Sequence, residues 1–75
     1  MNVDQILDAK GLACPMPIVK TKKAMNQLEA GQILEVQTTD KGAKSDLTAW
    51  AKSMGHTLLN SKEEDDVFTF HIQKG

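Results

Sequence analysis

The sequence predicts an α+β fold, a two-layer α/β sandwich in which two helices cover one face of a four-stranded mixed sheet. Three observations lead there. Apolar residues recur at helical spacing in two stretches, Ile18-Thr21-Met25-Leu28 and Leu47-Trp50-Ala51-Met54. Short segments around them carry strand patterns, most cleanly Val67 to Gln73, where Phe68, Phe70 and Ile72 alternate onto one face. Glycines punctuate the changes of period at Gly11, Gly31, Gly42 and Gly55. The implied order is β-α-β-α-β-β.

In chain order, the apolar cluster Val3, Ile6, Leu7 and Ala9 is short enough for a first strand. The helical period begins after Pro15, and Gly31 is expected to stop the first helix. Ile33 to Thr39 reads as a second strand with Leu34, Val36 and Thr38 on one face. Asp40-Lys41-Gly42 is a turn, Ser45 or Asp46 is expected to cap the second helix, and Gly55 ends it. Thr57 to Ser61 is a third strand and Glu63 to Asp66 a charged turn before the fourth. A helical crossover requires strands one and two to be parallel, and a short turn requires the last two to be antiparallel.

A length of 75 residues fits one domain, residues 1–75, with a thin two-layer core. Only Trp50, Phe68 and Phe70 are aromatic, so aliphatic residues and methionine must fill that core. Nine basic and ten acidic residues leave a formal net charge of −1, and every basic residue is a lysine. The missing guanidinium fork argues against direct nucleic-acid binding. No apolar run is long enough to span a membrane, and the first residues lack the pattern of a signal peptide. Cytoplasmic residence is the expectation.

The single cysteine excludes an internal disulfide, a dithiol redox centre and a multi-cysteine zinc site. Its setting, Gly11-Leu12-Ala13-Cys14-Pro15-Met16-Pro17, is hard to explain by folding alone. Proline is tolerated in the first helical turn, where amides have no intrahelical partner. With Cys14 as N-cap, Pro15, Met16 and Pro17 become N1, N2 and N3. The Met16 N–H is then expected to point at the sulfur. That donor and the helix dipole both favour a thiolate. A thiolate there is a nucleophile, and it is the form that carries a terminal sulfur as a persulfide. The competing reading is a small buried hydrophobe, since free cysteine is among the most buried residue types.

The run Asp8-Ala9-Lys10-Gly11-Leu12-Ala13-Cys14-Pro15-Met16-Pro17 resembles the Cys-Pro-x-Pro signature of the TusA-like (SirA-like) sulfur-carrier family. The resemblance extends over essentially the whole chain, including the Asp40 turn and the Trp50 helix closing on Gly55-His56. It implies a small cytoplasmic carrier that accepts sulfane sulfur on Cys14, with Pro15, Met16 and Pro17 framing the site. It also implies a sulfur-donor protein, a cysteine desulfurase or rhodanese-like protein, and an acceptor protein. The cargo would serve tRNA thiolation, cofactor assembly or sulfur metabolism. Lys41 and Leu47-Thr48 stand where many members have proline, differences expected to leave the cysteine site untouched.

Other residues invite weighing. Lys10, Lys20 and Lys23 are candidates for partner docking, against the plainer reading of a solvated helix face. Met25 and Met54 fall on apolar stripes and are expected in the core, whereas Met16 is expected to form an apolar rim beside the thiol. Trp50 is expected to anchor helix two on the sheet. His56 is expected to settle helix-end carbonyls rather than move protons, and His71 to be a surface residue. No spacing of His and Cys suggests a metal site, and no cofactor is expected. Two rival functions remain open: a non-catalytic interaction or regulatory module using helix one, and thiol redox sensing. A lone thiol cannot complete a dithiol cycle, so a carrier assisted by other proteins is favoured over a self-sufficient enzyme.

Overall fold

The computed structural model of the chain describes residues 2–13 and 15–75. Its elements are β1 (Gln5–Ala9), α1 (Met16–Met25), β2 (Ile33–Thr38), α2 (Ala43–Met54), β3 (Thr57–Glu64) and β4 (Val67–Gln73). The sheet order is β1-β2-β4-β3, with β1 parallel to β2 and both other pairings antiparallel. This is the α+β arrangement expected from the sequence.

The period-2 pattern places Leu34 and Val36 of β2 beside Phe70 and Ile72 of β4, and all four are buried. Ala24 and Met25 of α1, with Leu28 just beyond it, and Ala43, Leu47 and Ala51 of α2 close over them. Burying this face is the main source of stability for a domain so small. The buried Thr21 hydroxyl donates to the Pro17 carbonyl at 2.7 Å, so a polar group enters the core without an unmet hydrogen bond.

Several boundaries differ from expectation, each for a local reason. Helix α1 ends at Met25, and turns close it through Gln27 N–H to Ala24 O and Leu28 N–H to Met25 O. Gly31 therefore does not cap α1; its N–H donates to the Lys74 carbonyl at the entry to β2. Helix α2 begins one turn earlier than expected. Gly42 is its N-cap, held by the Asp40 carboxylate at 3.2 Å, and Asp46 sits in the first turn rather than capping it.

At the other end Gly55 does stop α2, at φ 78°. The Gly55 N–H reaches Lys52 O and the His56 N–H reaches Ala51 O, the paired bonds of a Schellman motif. His56 thus settles helix-end carbonyls through its backbone. Met54 is not core: it is 54% exposed, because the buried stripe of α2 stops at Ala51. Trp50 packs half-buried against the core, its ring 5.2 Å from that of His56.

Strand β3 runs on to Glu64, so the charged turn shrinks to Asp65 and Asp66, both at positive φ. That geometry suits the right-handed twist of a two-residue hairpin, and aspartate tolerates it. A register shift between Leu58 and Asn60 marks a bulge in β3. His71 lies on the face opposite the phenylalanines, as expected. It is not a free surface residue: its side chain is 13% exposed and lies 2.9 Å from Glu35.

Candidate functional site

The motif loop lies between the end of β1 and the start of α1, and Cys14 itself falls outside the described residues. On either side the backbone is tied down. Asp8 Oδ1 accepts from the Lys10 N–H at 3.0 Å, the turn an aspartate makes two residues before a donor. The Gly11 N–H donates to Thr39 Oγ1 at 2.9 Å, and the Leu12 N–H to Ala9 O at 3.3 Å. Gly11 takes φ 81°, so its freedom at positive φ is used to turn the chain out of the sheet.

The helix start departs from expectation. Pro15 is the N-cap residue, Met16 is N1 and Pro17 is N2. A turn precedes it: the Met16 N–H donates to the Ala13 carbonyl at 2.9 Å, and the helix begins one residue later than expected. The Pro15 carbonyl then accepts the first helical bond, from the Val19 N–H at 3.1 Å. Pro15 therefore takes the N-cap place expected of Cys14, and the expected contact of the Met16 N–H with the sulfur lies outside the described residues. Pro17 is buried while Pro15 is exposed, so the second proline anchors the helix start to the protein.

Around this start α1 presents a mixed face. Met16 and Val19 are 39% and 49% exposed, and Lys20 and Lys23 continue the same helical stripe into solvent. No acidic residue lies in the first turn of α1. The structure separates the candidate lysines. Lys10 extends along the sheet face opposite the helices, where Nζ reaches Gln37 Oε1 at 3.1 Å and lies 3.6 Å from Asp8 Oδ1. Lys20 and Lys23 stand on α1 instead, so the three do not share one patch.

The Lys10 contact joins a polar chain across that open face. Gln37 Nε2 donates to Glu35 Oε2 at 2.7 Å, and Glu35 Oε1 meets His71 Nε2. These two hydrogen bonds hold the Glu35 carboxyl below its ordinary range. On the helix side, burial and then Lys74 push the His56 imidazole down, which keeps it neutral and lets Nδ1 accept from the Gly75 N–H at 3.0 Å. Among the described residues, no group of three or more His, Cys, Asp or Glu side chains is placed to hold a metal ion.

A concavity of about 420 Å³ beside the motif loop is lined by Gly11, Leu12, Ala13, Thr39, Asp40 and Lys41. This contribution from the β2–α2 turn was not foreseen. Its signal is the parallel register that sets Ala9 opposite Thr38, which brings the two strand ends together. Lys41, expected to leave the cysteine site untouched, thus lines the concavity beside the motif loop.

Comparison with known proteins gives one consistent result. The family described as sulfurtransferase TusA matches residues 5–74. The chain is 71% identical over 75 residues to YrkI of Bacillus subtilis (strain 168), covering all of both proteins. It is 49% identical over 73 residues to the sulfur carrier protein TusA of Allochromatium vinosum, covering 97% of this chain and 96% of that protein. It is also 55% identical to YrkF of Bacillus subtilis, but spans only 40% of that protein's length. Among solved structures, a SirA-like protein from Desulfitobacterium hafniense superposes with a TM-score of 0.84 at 32% identity, covering 95% of this chain and 97% of that one.

Proposed function

The chain belongs to the TusA family of sulfur carriers, and on that premise we propose that it accepts sulfane sulfur as a persulfide on Cys14 and relays it to a partner protein. The observation that carries the reading is the position of the lone thiol in the sequence. It falls between Ala13 and Pro15, both exposed, just before a proline-framed helix without acid in its first turn.

The chemistry needs no cofactor. The Cys14 thiolate attacks the outer sulfur of a donor protein's persulfide, and the donor's own sulfur leaves as thiolate. One sulfur atom at the sulfane level changes hands without net oxidation. The partial positive charge of the α1 N-terminus stabilises the anion before and after transfer. An acceptor thiolate then repeats the exchange on the Cys14 persulfide. Pro15 and Pro17 hold the loop rigid, and exposed Met16 provides an apolar contact for the incoming partner.

The donor is a cysteine desulfurase or a rhodanese-like protein. The acceptor serves tRNA thiolation, cofactor assembly or sulfur metabolism without this chain binding nucleic acid itself. Cytoplasmic residence is part of the proposal; among the described residues, no helix is long and apolar enough to cross a membrane. Radiolabelled cysteine sulfur supplied through a desulfurase should label the chain, and mild reductant should release the label. Cys14→Ser should take up none. The rival reading, an interaction module built on α1, predicts instead that Cys14→Ser keeps cellular function while charge reversal at Lys20 and Lys23 abolishes it.

A further inference from the structure

Strand β1 is an edge of the sheet, and among the described residues its outer side has no strand partner. A groove of about 220 Å³ runs along it, lined by Gln5 and Leu7 from β1, by Lys20, Lys23 and Ala24 from α1, and by Gln27 in the turn beyond it. Among the described residues, the side chains of Lys20 and Lys23 have neither a hydrogen bond nor an ion pair. On the opposite face of the same strand Ile6 is 62% exposed, the most exposed large apolar side chain described.

The two edges of the sheet differ. Edge strand β3 is blunted by its bulge at Leu58/Asn60 and by the charges Lys62, Glu63 and Glu64, devices that deter pairing with another chain. Edge strand β1 keeps an unbroken register with β2. Its one charged residue, Asp8, and Lys10 just beyond it are turned toward each other on the face away from α1.

We propose that β1 accepts an extended, acidic segment of a partner protein as a fifth strand, with two acidic side chains under Lys20 and Lys23 and an apolar one over Ile6. Alternate side chains of an added strand point to opposite faces, so the pattern follows from the geometry: acidic, apolar, acidic. Positions i and i+2 of a strand lie roughly 7 Å apart. The Cβ atoms of helix positions i and i+3 lie about 5–6 Å apart. One carboxylate therefore meets each ammonium. The backbone ladder supplies attachment, and the two charges choose among segments. In the proposed sulfur relay, such a segment would tether a donor or acceptor beside the motif loop. That use rests on the persulfide reading, but binding of the segment does not.

The test uses the unloaded full chain and a fluorescent nine-residue peptide with Glu-Ile-Glu at its centre. Three controls accompany it: the same residues in scrambled order, the same peptide N-methylated at ladder positions, and a short RNA of matched charge as competitor. Binding of the alternating peptide is expected, with new protection of β1 amides from exchange and none at β3. Lys20→Glu with Lys23→Glu should weaken it by about tenfold or more, and Lys22→Glu much less. N-methylation should abolish it. No binding at millimolar peptide, equal binding of the scrambled or N-methylated peptide, or full displacement by the RNA would overturn the proposal. Because sulfur loading is not measured, none of these failures bears on persulfide formation, and a chain that fails to load can still bind the peptide.

Discussion

The two helices use the same fold differently. The outer surface of α2 matches its own electrostatics, with Asp46 in the first turn and Lys52 in the last. Its exit is completed by the Schellman bonds at Gly55 and His56. Nearly every feature of α2 is accounted for by holding α2 in place. Helix α1 is buried through Thr21, Ala24 and Met25 in the same manner, yet its start holds two prolines flanking exposed Met16. Its exposed stripe pairs apolar side chains with unpaired lysines, which does nothing for the core. A surface that its own helix does not need is where a partner is to be sought.

The largest stability effect should fall on α2. Leu47→Ala removes a fully buried side chain from the core and should cost about 2–5 kcal/mol in chemical denaturation. Gly55→Ala sharpens the point. A Cβ there meets nothing within 4 Å, so the cost should be the backbone strain of the left-handed conformation alone, about 1–2 kcal/mol. On α1, Val19→Ser and Lys20→Ala should change stability by less than about 0.5 kcal/mol, while slowing sulfur transfer from a donor protein. If instead Val19→Ser destabilises as strongly as Leu47→Ala, the contrast between the helices fails.

The smallest effect expected is a pH dependence. His56 titrates lower in the folded chain than in the unfolded one, so on acidification the unfolded state takes up its proton first. Its stability contribution is complete above the ordinary imidazole value of about 6.5 and is lost as pH falls through the folded value. Glu35 adds a second loss of the same sign at lower pH, below the ordinary glutamate value of about 4.3. A pH series of denaturation midpoints should show the upper step flatten in His56→Gln and the lower step in Glu35→Gln.

Periodicity made the fold legible. The alternation through Phe68, Phe70 and Ile72 and the stripes on both helices marked out the elements, and the crossover and the short turn set the β1–β2 and β3–β4 pairings; the central β2–β4 pairing has no such local sign. Periodicity overreached at Met54, because a stripe shows which residues share a face but not where the sheet beneath ends. Helix starts were less legible, since they depend on which carbonyl reaches which amide. Composition makes Cys14 as good a cap as Pro15; only the turn from Met16 to Ala13 decides between them. The neighbourhood of Lys41 is set by the parallel β1–β2 register, which links residues nearly thirty apart and leaves no local trace.

One measurement bears most directly on the carrier role. The chain is incubated with a cysteine desulfurase and cysteine, then weighed intact by mass spectrometry beside Cys14→Ser. The account predicts that the wild-type chain gains the mass of one sulfur atom and that the variant gains nothing. An unchanged wild-type mass, or an equal gain on the variant, would contradict it.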